Sequence, residues 1–252
     1  MALMEEFDRQ GSFLFRWRSY VPSVILIISA FFVPGYKYAG GNYSSHLYWS
    51  IPALIVSLLG LFVRCYTIGY APEKTSGRNT KKQVAETVNQ SGIYSMVRHP
   101  LYLGNFLMFF GIVLFIKSIA FSLIFILFYW MYYERIMYTE EHFLRTKFGA
   151  KYLNWADSTP AVIPAFSKFK KADLVFSFRN ILKREYPSLT GIAVMFLIYD
   201  IIFIYFNEPE RMTVGLPLYK EHHIYAFAAS LAFYIIVRII VKFTKWLEVE
   251  GR

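Results

Sequence analysis

A single cysteine, Cys65, stands in 252 residues. That excludes an internal disulfide and any metal site built on several cysteines. No glycine-rich dinucleotide fingerprint is present, no internal repeat or low-complexity linker divides the chain, and no aromatic–basic pattern reads as an RNA-binding surface. The opening stretch MALMEEFDRQ is acidic and lacks a basic region followed by an apolar one, so no cleavable leader is expected. Acidic residues are few, 17 against 27 Lys and Arg, which leaves a net charge of +10.

Apolar residues are plentiful instead. They make up 56% of the chain, aromatics alone 20%, and mean hydropathy is +0.37. The excess is gathered in six blocks, roughly Val21–Pro34, Leu47–Val63, Leu101–Ile116, Ile119–Tyr133, Leu189–Phe206 and Ile224–Val241. About 20 apolar residues at 1.5 Å each cross a hydrocarbon layer of ~30 Å. The expected fold class is therefore all-α, a polytopic membrane protein of about six transmembrane helices with cytoplasmic amphipathic helices. The first, third and fourth blocks are short and need interfacial Tyr, Trp or Arg to complete a span.

Charge orients this layout. With six spans, 23 of the Lys and Arg residues fall on one side and only Lys37, Lys117, Arg211 and Lys220 on the other. Basic loops stay in the cytoplasm. Both termini are thus expected there, in an inner membrane if the source is bacterial. The +10 charge reads as topology rather than nucleic-acid binding.

Two stretches outside the spans are long enough to hold machinery, Cys65–Val97 and Glu134–Pro187. The second continues the fourth span. Ile136, Phe143, Leu144, Phe148 and Tyr152 recur at helical spacing, Gly149 suits a C-cap, and a second short helix runs to Trp155 before Pro160 and Pro164 mark an extended exit. The third and fourth spans are joined by about three residues near Lys117 and must form a tight antiparallel hairpin. Arg98, His99 and Pro100, at the start of one span, then emerge beside Glu134–Glu141, at the end of the other.

These clusters are chemically complementary. Pro100 suits a first helical turn, whose free N–H groups form an anion site. Arg98 adds a two-pronged donor for carboxylate or phosphate. Gly104 allows close approach of a ligand or a helix. Tyr94 and Tyr102 bring aromatic faces. Glu134, Glu140 and Glu141 supply carboxylates, beside Tyr138 and His142. A pocket with a positive and a negative end suits a zwitterion. The plainer readings are a lipid-headgroup anchor for Arg98-His99 and a solvated helix face for the glutamates. Adjacent positions do not share a helix face, so Glu140 and Glu141 cannot do the same job. Asp200, inside the fifth span, is either functional or an interhelical hydrogen-bonding group. His222-His223 has no evident third metal ligand, and no metal site is expected.

The segment GIYSMVRHPLYLGN followed by EEHFLRTKFGAKYLNWADSTPAVIP resembles the isoprenylcysteine carboxyl methyltransferase and phospholipid methyltransferase superfamily. Gly92, Tyr94, Arg98, His99, Pro100, Tyr102, Gly104, Glu140, Glu141, Leu144, Phe148, Gly149, Tyr152, Ile163 and Pro164 carry the match. It covers roughly Arg64 to Pro164 and leaves out the N-terminal helix and the last two spans. Three parts are expected: 1–63 as an N-terminal membrane segment, 64–165 as the catalytic part, and 166–252 as an extension with two spans. The resemblance implies S-adenosyl-L-methionine as methyl donor, held at the cytoplasmic face. Arg98, His99, Glu140 and Glu141 would be catalytic. Tyr94, Val97, Pro100, Tyr102, Leu103 and Gly104 would join them around the cofactor. The acceptor would be a membrane lipid or lipidated substrate, methylated on a carboxylate or phosphate oxygen. Three alternatives stand beside this: N-methylation of a phospholipid amine, an NADPH-dependent membrane reductase of related architecture, and a non-enzymatic scaffold or transporter.

Overall fold

The computed structural model describes residues 2–18, 20–35, 37–72, 83–210 and 222–251. Lys74, Arg78, Lys81, Lys82, Arg211, Lys220 and Arg252, and the side chains of His222 and His223, lie outside the described residues. Among the described residues the order is α1 (Leu3–Trp17), α2 (Val21–Ser29), α3 (Tyr43–Tyr70), α4 (Pro100–Phe115), α5 (Ile119–Phe148), α6 (Ala150–Ser158), α7 (Phe178–Asn207) and α8 (His222–Phe243), with short 3-10 turns between. No strand forms among them beyond one isolated bridge, Gly92 to Lys170.

Among the described residues four helices, α3, α5, α7 and α8, are long and apolar enough to cross a membrane, and α4 is a shorter apolar helix of 16 residues. The block Val21–Pro34 differs from the expectation. Its α-helix ends at Ser29 and a 3-10 turn, Ala30–Gly35, replaces the rest. Nine residues at 1.5 Å rise reach less than half of the hydrocarbon thickness. The outer faces of the long helices expose Leu58, Leu59 and Phe62 on α3, Leu123, Ile124 and Leu127 on α5, and Ile235, Ile236 and Ile239 on α8. Helices present such faces to lipid, because their backbone polar groups are satisfied internally. The chain is an integral membrane protein.

The α4–α5 hairpin forms as its short connection requires. Lys117 turns the chain with φ 62°, and the Ser118 hydroxyl caps α5 by accepting from the Phe121 N–H at 3.1 Å. An aromatic seam closes the two helices, with Phe106, Phe110, Phe125 and Tyr129 in mutual ring contact. Behind it, α3 lies directly on α4. A Cβ on Gly60 would strike the Met108 and Gly104 backbone, and one on Gly111 would strike Ser57 and the Ala53 carbonyl. Small residues at such positions let two membrane helices touch along their backbones. The Ser57 hydroxyl donates to the Met108 carbonyl at 2.9 Å within that contact.

The amphipathic α1 was not anticipated. It packs along the polar end of α5, where Arg135 donates to Gln10 at 2.8 Å and the Tyr132 hydroxyl donates to the Leu14 carbonyl at 3.0 Å. Asp200 on α7 accepts from the Tyr43 hydroxyl at 3.0 Å and lies 3.6 Å from His46, both on α3. It joins helices α3 and α7 at the bundle end opposite Arg98.

Candidate active site

Local structure aims Arg98 and His99. Gly92, with φ 60°, turns the chain into a 3-10 turn over Ile93–Ser95. Pro100 then opens α4 as its first residue. Two main-chain bonds fix the dipeptide between them, from Arg98 N to the Pro160 carbonyl at 2.9 Å and from His99 N to the Ala161 carbonyl at 3.2 Å. The extended exit after α6 thus runs alongside the start of α4.

The glutamates arrive from α5. Glu141 Oε1 lies 2.8 Å from His99 Nε2 and 3.2 Å from Arg98 Nε. Glu140 accepts from the Tyr102 hydroxyl at 2.7 Å, and its other oxygen lies 3.7 Å from His99 Nδ1. The imidazole sits between two carboxylates and stacks on Tyr102 at 5.7 Å. Arg98 also donates from Nη1 to the Ala156 carbonyl at 3.0 Å, and the Trp155 indole donates to the Tyr94 carbonyl at 3.1 Å. Helix α6 therefore closes one side of the site. Burial and the Glu141 carboxylate push the Tyr152 phenol above the ordinary tyrosine range. Burial likewise pushes Tyr94 up to about 12. Both phenols keep their protons at physiological pH.

These side chains border a cavity of about 1580 Å³. Tyr94, Arg98, His99, Pro100, Tyr102 and Glu140 line one end. Met108, Phe109 and Ile112 of α4, Ile192 and Met195 of α7, and Leu26 of α2 line an apolar continuation. Between them stands Arg64 of α3, gripped by both oxygens of Glu185 at 2.8 and 2.7 Å and bonded to Asn105.

The sequence-derived candidates divide. Arg98, His99, Pro100, Tyr94, Tyr102 and Glu140 meet at the cavity wall. Glu141 stands behind them, turned to Arg98 and His99. Val97 is fully buried, and neither it nor Leu103 lines the cavity. Gly104 faces α3, where an added Cβ would meet Arg64 and the Gly60 carbonyl. Glu134, Tyr138 and His142 turn toward the other side of α5. Tyr138 meets Phe7 of α1 edge-on at 5.9 Å and stacks on His142, and Glu134 lies beside Arg135. Sequence reasoning missed Arg64, Asn105, Trp155 and Glu185. The one available signal was Arg64 at the end of an apolar run, since a charge there requires a partner. Among the described residues no group of three or more His, Cys, Asp or Glu is placed to hold a metal ion.

Residues 49–151 match the family model described as phospholipid methyltransferase. A nickel-cobalt-cadmium resistance protein of Alcaligenes xylosoxydans xylosoxydans is 33% identical over 125 residues, which is 48% of this chain and 55% of that protein. A cobalt-zinc-cadmium resistance protein of Cupriavidus metallidurans is 32% identical over 124 residues, 48% of this chain and 54% of that protein. The protein-S-isoprenylcysteine O-methyltransferase of Saccharomyces cerevisiae is 27% identical over 139 residues, 55% of this chain and 58% of that enzyme. The chain spans about half the length of these curated relatives. No solved structure matches. The matched segment holds Arg98, His99, Glu140 and Glu141 together with the hairpin that joins them. Over residues 49–151 the chain is similar to the phospholipid methyltransferase family, and over part of its length to an isoprenylcysteine methyltransferase.

Proposed function

We propose that the protein is an S-adenosylmethionine-dependent methyltransferase that acts on a lipidic or prenylated acceptor at the cytoplasmic face of the membrane. The cavity is the observation that carries this reading. Its volume of about 1580 Å³ exceeds the ~300–1,000 Å³ usual for one small ligand. It joins a charged end to an apolar one, which suits a polar donor beside an acceptor with a hydrocarbon tail. The tripartite division at 63/64 and 165/166 follows from the same reading, with residues 64–165 as the donor side and α7 as part of the acceptor wall.

The residues present fit the donor. Arg98 would hold the carboxylate and Glu140 the amino group, and the rings of Tyr94 and Tyr102 would suit a sulfonium. When bound, S-adenosylmethionine supplies an electrophilic methyl group. The protein's own contribution is alignment and exclusion of water, which together account for much of the acceleration in such a displacement. Glu141 holds Arg98 and His99 in place, so it acts as a positioning residue. Glu140 is the carboxylate that faces the ligand.

The acceptor is already anionic on this reading. Glu141 is committed to Arg98 and His99, and Glu140 accepts from Tyr102. A carboxylate or phosphate oxygen needs no base to attack, whereas a protonated amine does. N-methylation of a phospholipid amine is the second reading, favoured by the description of the matching family model.

Calorimetric titration of the detergent-purified protein with S-adenosylhomocysteine tests the donor site. Saturable binding is expected, and Arg98→Ala should remove it. No binding by a folded wild type would end the proposal. Transfer of a labelled methyl group into membrane lipid then separates the two acceptors. A carboxyl ester releases labelled methanol in mild base, and a methylated amine does not.

A further inference from the structure

We propose that residues 163–178 form a strap that lies in the membrane interface at the site end of the bundle and takes anionic lipid headgroups on Lys170 and Lys171. The strap connects the exit from α6 to α7 and lies outside the family-matched segment.

Its composition is the first observation. Ile163, Phe166 and Val175 are 81, 76 and 83% exposed, and Phe169 and Phe178 are also exposed. Apart from Phe178, which opens α7, these residues belong to no membrane-crossing helix. Large apolar side chains gathered on one short segment mark a surface that meets something other than water. The lysines alternate with them. Lys168 reaches back to the Ser158 carbonyl, while Lys170 and Lys171 are exposed. Apolar residues interleaved with Lys are the composition of segments that lie in the interface plane.

Placement is the second observation. Trp, Tyr and basic residues gather where spans leave the hydrocarbon. At the end of α3, Tyr66 and Tyr70 are in ring contact at 5.0 Å, and Phe176 of the strap extends that row with a contact to Tyr70 at 5.1 Å. The Ser177 N–H donates to the Gly69 carbonyl at 2.8 Å. Arg179 at the start of α7 lies 5.8 Å from the ring of Trp246, just beyond α8. The strap is thus tied to the aromatic end of α3 and runs directly into α7. That continuity points to lipid as its occupant, and the lysines select lipid of negative charge.

The inner edge of the strap holds the site loop. Lys170 accepts from Gly92 N at 2.9 Å and donates its own N–H to Ser95 Oγ at 2.8 Å. The Ser91 hydroxyl donates to Asp173 at 2.7 Å, and Ala165 N donates to the Met96 carbonyl at 3.0 Å. A bilayer that seats the strap therefore also steadies the loop leading to Arg98.

The test uses the full chain in vesicles. Cys65→Ser removes the native thiol, and single spin labels are placed through Ile163→Cys, Phe166→Cys or Val175→Cys. Asp157→Cys on α6 is the exposed control. Vesicles are phosphatidylcholine alone or mixed with phosphatidylglycerol. The expected result is several-fold lower accessibility of the three strap labels to an aqueous nickel chelate than of the control, with the shielding deeper in phosphatidylglycerol. Lys170→Gln and Lys171→Gln should each reduce that anionic preference about fivefold. Labels as accessible as the control in both vesicles would overturn the proposal. So would shielding that grows with protein density, because a second copy of the chain would then be the occupant. Should a cysteine variant fail to fold, amide exchange of the unsubstituted chain gives the same reading: residues 166–176 should exchange more slowly in phosphatidylglycerol vesicles, and equal rates would overturn the proposal. None of these readouts depends on methyl transfer.

Discussion

His99 and Glu141 are 42 positions apart in the chain and 2.8 Å apart in the protein, and the same glutamate oxygen is 3.2 Å from Arg98. One carboxylate thereby holds two neighbouring cationic or potentially cationic side chains. The next carboxylate along, Glu140, is left to the cavity. The two glutamates thus make separate contacts, as adjacent positions on different helix faces require.

Substitution of each glutamate should separate these tasks. Hydrogen bonds to charged groups contribute about 1.5–3 kcal/mol, or roughly ten- to a hundredfold in a binding constant. Glu140→Gln should weaken S-adenosylhomocysteine by about that factor with little change in thermal stability. Glu141→Gln should weaken it and lower the unfolding temperature as well, because Arg98 and His99 lose their anchor. Arg98→Lys should not restore binding, since an ammonium lacks the planar fork. Calorimetry beside thermal unfolding reads all three; equal stability of the two glutamine variants would contradict the division of labour.

Gly104→Ala should be a stability variant. Its added methyl meets Arg64 and the Gly60 carbonyl across the α3–α4 contact. Overpacking of this kind costs about 1–3 kcal/mol. A lower unfolding temperature is expected, with analogue affinity retained at a temperature where the variant is folded. Loss of affinity without loss of stability would instead put Gly104 against the ligand.

Arg64 and Glu185 should behave as a unit. Glu185 is only 3% exposed and gives both oxygens to the guanidinium. Removing one partner of a buried pair leaves an uncompensated charge and costs about 3–5 kcal/mol. Arg64→Met and Glu185→Leu should each be strongly destabilising, and the double variant much less so than their sum. A double-mutant cycle by thermal unfolding measures the coupling. Additivity would mean that the pair contributes nothing jointly.

Stability should rise in mildly alkaline solution through Lys117. Burial lowers this lysine from 10.5 to about 8, and its amine lies 2.8 Å from His46 Nδ1. Below pH 8 the group is protonated in both folded and unfolded states, and the cost of desolvating it is fully present. Between pH 8 and 10.5 the unfolded chain holds more protons than the folded one, so stability increases with pH. Unfolding temperatures measured across that window should climb in the wild type and flatten in Lys117→Met. Parallel profiles would assign the rise to other groups.

The sequence was legible where local rules suffice. Three residues near Lys117 leave no room for anything but a hairpin, and that alone placed Arg98 and His99 beside the α5 glutamates. Gly149 ends α5 with φ 53°, as a residue without a Cβ can. The lack of a second cysteine and the run of apolar blocks fixed the class of chain before any contact was known. Local rules were weaker for Val21–Pro34, where apolar composition resembles a span but the helix stops at Ser29.

Other features were decided only by packing. Helical geometry says that Glu140 and Glu141 point about 100° apart, but not which of them faces the cavity. The rotation of α5 settles that, and α1 on one side and α4 on the other set the rotation. The same rotation carries Glu134, Tyr138 and His142 away from the site toward α1. Arg64 and Glu185 are 121 positions apart, and α7 joins the cavity wall from outside the matched segment. By itself the sequence determined the membrane class and the hairpin, and it supplied the residues proposed to meet a zwitterion. Tertiary structure alone decided which side chains meet, because periodicity describes a helix about its own axis and contains no term for the neighbours that turn it.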